Sequence, residues 1–137
     1  MGSFSDTPQL IASGTIAPYR FVAVTATAGV TNDNRGFQAS ADTNAIAGVS
    51  DASTLAFDSA NHATAGLPIS LQGGAVIQIQ VGTAVTHGDL LETDANGKCQ
   101  AATTTAGTRR YHGYVALQNG AADEIIEAMR IGGFVKY

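Results

Sequence analysis

The stretch Leu67-Pro-Ile-Ser-Leu-Gln-Gly-Gly-Ala-Val-Ile-Gln-Ile-Gln-Val81 decides the fold class of this chain. On both sides of the Gly-Gly pair the residues alternate with a period of two. In the second run this places Ile77, Ile79 and Val81 on one face of a strand and two glutamines on the other. Because paired glycines accept the backbone angles of a tight turn, the stretch predicts two short strands joined as a β-hairpin.

The same pattern of short apolar runs between turn residues continues along the chain. A second hairpin is predicted from residues 89–93 and 98–102, which flank a turn at Asp94-Ala-Asn-Gly97. Further short strands are predicted at 15–16, 20–25, 46–49 and 111–117, the last interrupted at Gly113. Almost no apolar stripe persists at helical spacing, so the fold class is mostly β.

The segment 121–131 is compatible with two structures. Its residues have good helix propensities, and Asp123 could cap a helix. However, the segment is short and follows an Asn119-Gly120 turn, which favours a closing strand. The polar stretches 31–44 and 51–66 are predicted to be loops.

The length of 137 residues favours a single domain. Residues 1–13 show neither periodicity, so we predict an extended N-terminal arm there and a single β domain over 14–137. The arm holds three large apolar residues, Phe4, Leu10 and Ile11, which we predict as contacts for a partner. The alternative is a disordered terminus with incidental apolar residues.

Composition excludes several partners. Charged residues make up 13% of the chain, against about 25% in typical domains. The only adjacent basic pair is Arg109-Arg110, so no nucleic acid partner is expected. No signal peptide and no apolar run of membrane-spanning length is visible, so we expect no membrane partner. With one cysteine the chain can form no internal disulfide, which is compatible with synthesis in a reducing cytoplasm. Cys99 is the single cysteine, predicted to be a small buried hydrophobe.

Motifs for chemistry are missing from the sequence. His62, His87 and His112 are evenly spaced but share no metal-binding pattern around them. No Gly-x-Ser-x-Gly elbow is present, and acidic residues such as Asp89 and Asp94 occupy turn positions. We therefore expect no catalytic residue, no metal site and no cofactor, and a protein that is not an enzyme.

A series of segments resembles the capsid cement proteins of tailed bacteriophages, and their order matters more than any one of them. The family shows an Arg-Phe-Val strand, a Gly-Val strand, a Val-x-Val-x-Gly strand, a Gly-Asp-x-Leu hairpin ending in Gly-Lys, a Gly-x-Ala-Leu strand and a closing apolar strand. The matching segments here are 14–22, 45–49, 77–82, 85–98, 113–117 and 125–129.

This resemblance implies a small β-barrel or β-sandwich of short antiparallel strands. It implies a homotrimer on the outer surface of the mature phage head, bridging neighbouring capsomers against internal DNA pressure. The partner would be the major capsid protein, contacted by the arm through Phe4, Leu10 and Ile11. The matched turn motif consists of Gly88, Asp89, Asn96 and Gly97.

Other classes of function stay open at this point. A head-fibre or tail-associated module could present the two long loops to a glycan on the host surface, although those loops hold only the aromatic residues Phe37 and Phe57. A carbohydrate-binding β domain would be expected to stack sugars on aromatic rings, and the chain has no Trp. A glycan hydrolase would need two convergent carboxylates in a cleft.

Overall fold

The structure is a computed structural model that describes residues 10–24, 35–41, 44–51, 68–103, 109–111, 113–132 and 134–136. Within these ranges the chain forms twelve strands and no helix. The strands are β1 (Leu10–Ala12), β2 (Phe21–Ala23), β3 (Arg35–Gln38), β4 (Ile46–Val49), β5 (Pro68–Ile69), β6 (Val76–Gln80), β7 (Leu90–Thr93), β8 (Cys99–Ala101), β9 (Arg109–Tyr111), β10 (Tyr114–Ala116), β11 (Ile125–Arg130) and β12 (Phe134–Lys136). Among the described residues there is no helix long and apolar enough to span a membrane.

The first sheet has five strands in the order β4-β2-β3-β1-β5. Strands β1 and β3 run parallel, and the other neighbours are antiparallel. Ser50, just after β4, forms an antiparallel bridge with Leu71, two residues after β5. The two edge strands of this sheet therefore approach each other at one end.

The second sheet has the order β6-β11-β10-β7-β8, and all its neighbours are antiparallel. Val81, directly after β6, bridges Cys99 of β8, so these edge strands also meet at one point. Neither sheet closes into a barrel over the described residues. The predicted mostly β fold of one small domain is confirmed, whereas a closed barrel is not what the described strands form.

Two clusters of buried apolar side chains form the core of the protein. In β6, Ile77 and Ile79 are buried and Val76 and Gln78 are exposed, as the alternating sequence predicts. The larger cluster joins both sheets and consists of Phe21, Ala23, Ala39, Ile46, Val49, Ile77, Ile79, Val81, Val85, Leu91, Cys99, Tyr114, Ala116, Ile126 and Ala128. The smaller cluster lies on the opposite face of the first sheet and consists of Leu10, Ala12, Ile16, Val22, Ile69 and Leu71.

The hairpin predicted across Gly73-Gly74 is wrong. Strand β5 pairs with β1 in the first sheet, whereas β6 pairs with β11 in the second. The outer edge of β6 is instead occupied by the side chain of Gln72, whose Oε1 accepts from the N–H of Gln78 and whose Nε2 donates to the carbonyl of Gln78. The glycines therefore carry the chain from one sheet to the other. The hairpin of β7 and β8 is confirmed.

The loop predicted over 31–44 is also wrong, because β3 lies within it, between β2 and β1. The sequence does not predict this strand, because its buried position is a glycine and not a large apolar residue. A Cβ atom at Gly36 would lie 2.5 Å from Cδ1 of Ile69. Of the loop predicted over 51–66, only Asp51 falls within the described residues. The segment 121–131 contains strand β11, which confirms the strand interpretation.

Candidate functional site

The predicted partner contacts of the N-terminal arm lie in different surroundings. Phe4 lies outside the described residues. Leu10 and Ile11 belong to β1, which pairs with β3 and β5, and the side chain of Leu10 is only 8% exposed. In this fold Leu10 packs in the smaller core cluster and Ile11 is half-buried. Contact of these residues with a capsid protein stays a prediction.

The turn before β7 is shaped by Gly88 and Asp89. Gly88 has a φ of +91°, which glycine adopts without a steric cost. Oδ2 of Asp89 accepts a hydrogen bond from the N–H of Thr86 at 2.9 Å, and the N–H of Gly88 donates to the carbonyl of Ala116. After this turn Leu91 enters the core and Leu90 stays 38% exposed.

The turn between β7 and β8 contacts the first sheet. Oδ1 of Asp94 accepts hydrogen bonds from the N–H groups of Asn96 and Lys98 at 2.8 and 2.9 Å, which fixes the loop. Gly97 has a φ of +77°, and its carbonyl accepts from the N–H of Phe21 at 2.8 Å. The turn therefore fastens the second sheet to the start of β2.

Arg20 strengthens this connection. Its Nη1 donates to the carbonyl of Asn96 at 2.8 Å, and its Nε and Nη2 donate to Oε1 of Gln80 at 3.3 and 3.1 Å. Burial lowers the pKa of Arg20, and the carboxylates of Asp94 and Asp123 oppose that shift. We call Tyr19, Arg20, Gln80 and Asn96 the inter-sheet joint.

Tyr19 also belongs to the joint, and it connects the two sheets through hydrogen bonds of its backbone. Its φ is +58°, an uncommon value for a residue with a side chain. Its N–H donates to the carbonyl of Ser50 and its carbonyl accepts from the N–H of Gln80, at 3.1 and 3.0 Å. The buried hydroxyl of Ser50 accepts from the N–H of Arg20 and donates to the carbonyl of Ala17. These bonds hold the turn in its strained conformation.

Beside the joint, Lys98 and Asp123 form an ion pair, with Nζ 2.6 Å from Oδ1. The hydrogen bond from Lys98, together with its charge, lowers the pKa of Asp123. Asp123 is exposed and has a φ of +70°, and its N–H donates to the carbonyl of Val81. This pair fastens the turn before β11 to the start of β8.

The outer face of the second sheet carries a row of exposed apolar residues that the sequence did not identify. Val76 pairs with Met129, Met129 with Val115, and Val115 with Leu90, so the row crosses four neighbouring strands. Val76, Met129 and Leu90 are 48%, 37% and 38% exposed. We call these four residues the apolar row. Because the four residues are neighbours on one open sheet face, the apolar row is a candidate interaction surface.

The sequence signal for the row was ambiguous. In β11 the apolar residues Ile125 and Ile126 are adjacent, and so are Ala128 and Met129, so alternation does not separate the core face from the outer face. Only the register with β6 and β10 assigns Met129 to the outside. Next to the row on this face lie Gln78 and the exposed Glu127, which are paired to each other.

The remaining reactive groups do not assemble into a site in the part of the chain that is described. No group of three or more His, Cys, Asp or Glu residues there could hold a metal ion. Glu92 is buried and accepts hydrogen bonds from Gln100 and Thr103. Burial raises the pKa of the Cys99 thiol to about 12. His87 is exposed, and His62 and His112 lie outside the described residues.

Comparison with solved structures finds a similar fold in the head fiber gp8.5 N base of bacteriophage phi29. The TM-score is 0.65 with 14% sequence identity, and the match covers 94% of this chain and 96% of that one. At this identity the likeness concerns the fold, which the two chains share over nearly their whole lengths. No protein family and no curated protein matches the chain.

Proposed function

We propose that this chain is a non-enzymatic structural protein of a tailed-phage head, which binds the outer surface of the mature head as a cement protein. The observation that carries the proposal is the shared fold with the N base of a phage head fiber, which extends over 94% of this chain. The ordered resemblance of segments 14–22 to 125–129 to phage cement proteins is a separate line of support from the sequence.

The exposed surface supports a binding role. The apolar row lies on an open sheet face where the nearby exposed polar residues are mainly uncharged, apart from Glu127. Burying such a face against another protein costs little desolvation of charge and removes apolar area from water. Charged residues make up only 13% of the whole chain, so other parts of its surface would also lose little charge hydration on binding.

In the proposed mechanism, homotrimers bridge neighbouring capsomers and hold the major capsid protein at several points. Each contact can be weak, because later contacts in a trimer form at high effective concentration and add avidity. The segment before β1, with Phe4, provides one contact to the capsid protein. Internal DNA pressure must then break several contacts together before the shell opens.

A second candidate function is the base of a head fibre, which anchors a longer fibre that reaches the host surface. The description of the phi29 protein as the N base of a head fiber favours it. Such a base binds the head as a cement protein does, but it transmits load to a fibre and has no need to stabilise the shell. A glycan-binding part would then lie in an additional module.

The two functions are distinguished by head survival. Heads lacking the protein are saturated with the purified chain and exposed to heat or to a chelator, and DNA release is measured. A cement protein raises the temperature of DNA release in proportion to occupancy. Binding without protection favours the fibre base. If no binding occurs, both candidates are wrong.

A further inference from the structure

Strands β9 and β12 continue the ladder of β10 and β11 beyond the second sheet. Tyr114 pairs with Arg130 at the end of the sheet, and Tyr111 pairs with Phe134 farther out. Between these two pairs the chain advances three residues from Tyr111 to Tyr114, but four residues from Arg130 to Phe134. The carbonyl of Gly113 accepts from the N–H groups of both Ile131 and Gly132, at 2.8 and 3.3 Å, which is a β-bulge.

Beyond the bulge, β9 and β12 form a sheet of two strands, which we call the ribbon. In the described part of the chain neither ribbon strand has a third strand beside it. An isolated two-stranded ribbon is only marginally stable in water, and its edges are open to pairing with another chain. A partner that covers the ribbon would therefore stabilise it.

The ribbon is also the most basic part of the chain. Its six residues include Arg109, Arg110 and Lys136 and no acidic residue, and the backbone register sets Lys136 opposite Arg109. The chain has seven basic residues in total, so only four lie outside the ribbon, together with all eleven acidic ones. The rest of the same chain is therefore strongly acidic and complements the ribbon in charge.

The apolar row leads directly into the ribbon. Met129 of β11 and Val115 of β10 are paired on the sheet side of the bulge. Ile131, at the bulge itself, is 51% exposed. The exposed Asp123, which is paired with Lys98, and the exposed Glu124 lie at the opposite end of β11, before its first residue. This end therefore keeps a net negative charge. One end of this long strand thus carries apolar and basic residues, and the other end carries acidic ones.

We propose that the ribbon and the apolar row form the interface between copies of this chain, with the ribbon of one copy contacting the acidic end of β11 in the next. Opposite charges at the two ends of this ladder favour a head-to-tail contact, and such contacts form a ring where the rotation from one copy to the next closes. The inference deepens the homotrimer in the proposed function by naming its interface. It concerns self-association, which occurs without heads and is measured apart from head binding.

The test measures the mass of the purified full chain by sedimentation equilibrium over a range of concentration and salt. The wild-type chain is expected to form a closed oligomer that weakens as salt rises, because salt screens the contact. Arg109→Gln is expected to weaken assembly about tenfold, or ~1.4 kcal/mol, because Arg109 lies opposite Lys136 in the ribbon. Met129→Gln is expected to weaken it by a similar factor, since it removes apolar contact area.

Matched controls separate the interface from general effects. Thr83→Glu changes net charge by the same amount as Arg109→Gln, at an exposed position outside the ribbon. Val24→Gln introduces the same amide at a 41% exposed site directly after β2, away from the ribbon and the apolar row. Both controls should assemble as the wild type does, and thermal unfolding followed by circular dichroism verifies that each variant is folded. A monomeric wild-type chain, or assembly unchanged in both interface variants, overturns the proposal.

Discussion

Arg20 and Gln80 join the two sheets, because Nε and Nη2 of Arg20 both donate to the side-chain oxygen of Gln80. The same guanidinium reaches the carbonyl of Asn96 in the β7–β8 turn. The planar guanidinium presents its donors in a fixed fork that matches both acceptors, whereas the compact ammonium group of a lysine does not have this geometry. The relative position of the sheets therefore depends on one half-buried side chain as well as on the shared core.

Replacing Arg20 should destabilise the protein. Arg20→Met keeps much of the apolar stem but leaves the acceptors on Gln80 and Asn96 without their donor, so we expect a loss of about 2 kcal/mol in the free energy of unfolding. Arg20→Lys should recover only part of it. Urea denaturation measures both variants, and a methionine variant as stable as the wild type would show that the joint contributes nothing.

Gly97 is expected to be intolerant of a side chain for two reasons. Its φ is positive, and a Cβ there would lie 2.9 Å from Cγ of Gln38 and 3.2 Å from Cβ of Arg20. Gly74 has a φ of +90° with nothing near its Cβ position, so Gly74→Ala isolates the backbone effect. We expect Gly97→Ala to cost at least about 1 kcal/mol more than Gly74→Ala in thermal unfolding. Equal costs would contradict the close packing of the turn.

The Lys98–Asp123 pair gives an acid-dependent contribution to stability. Because the pKa of Asp123 is lowered in the folded chain, its contribution is present above the pKa of the unfolded chain and is lost as pH falls through the lower, folded pKa. Lys98→Gln should raise the pKa of Asp123, and Lys98→Arg should keep it low. Carboxyl NMR titration measures both, and an unchanged pKa in the glutamine variant would refute the pairing.

Local patterns predicted the strands better than their partners. The alternation around Ile77 identified β6 and its buried face, and Asn96-Gly97 marked the β7–β8 hairpin, because both features depend on residues close in the chain. The pairing of β5 with β1 depends on contacts between distant segments, which the Gly73-Gly74 pair does not encode. Strand β3 is not predicted by the sequence, because at Gly36 it packs closely against Ile69 where a larger apolar side chain would not fit.

The candidate site was harder to predict than the fold. In the sequence Phe4, Leu10 and Ile11 are lone apolar residues in a segment without periodicity, which predicts partner contacts. In the structure Leu10 pairs with Ile69 and belongs to a sheet. The apolar row could not be recognised, because adjacent apolar residues in β11 leave its outward face undefined until the register with β10 is known. Arg20 became visible as a joint only once its distant acceptors were placed beside it.

The arm hypothesis can be tested without disturbing the fold. Deleting residues 1–9 keeps β1 and the buried Leu10, so the truncated chain should stay folded while its affinity for heads falls at least about tenfold through lost contacts. Deleting residues 1–13 also removes β1 and should lower stability. Head binding by the shorter truncation at wild-type affinity would eliminate the arm as a capsid contact.

The central claim is that this protein binds phage heads, and co-sedimentation of the full chain with mature heads that lack it tests that claim most directly. Bound protein is measured by gel densitometry over a range of added concentration. The account predicts saturable binding with a fixed number of copies per head, and competition by unlabelled protein. Protein that stays in the supernatant at every concentration would contradict it.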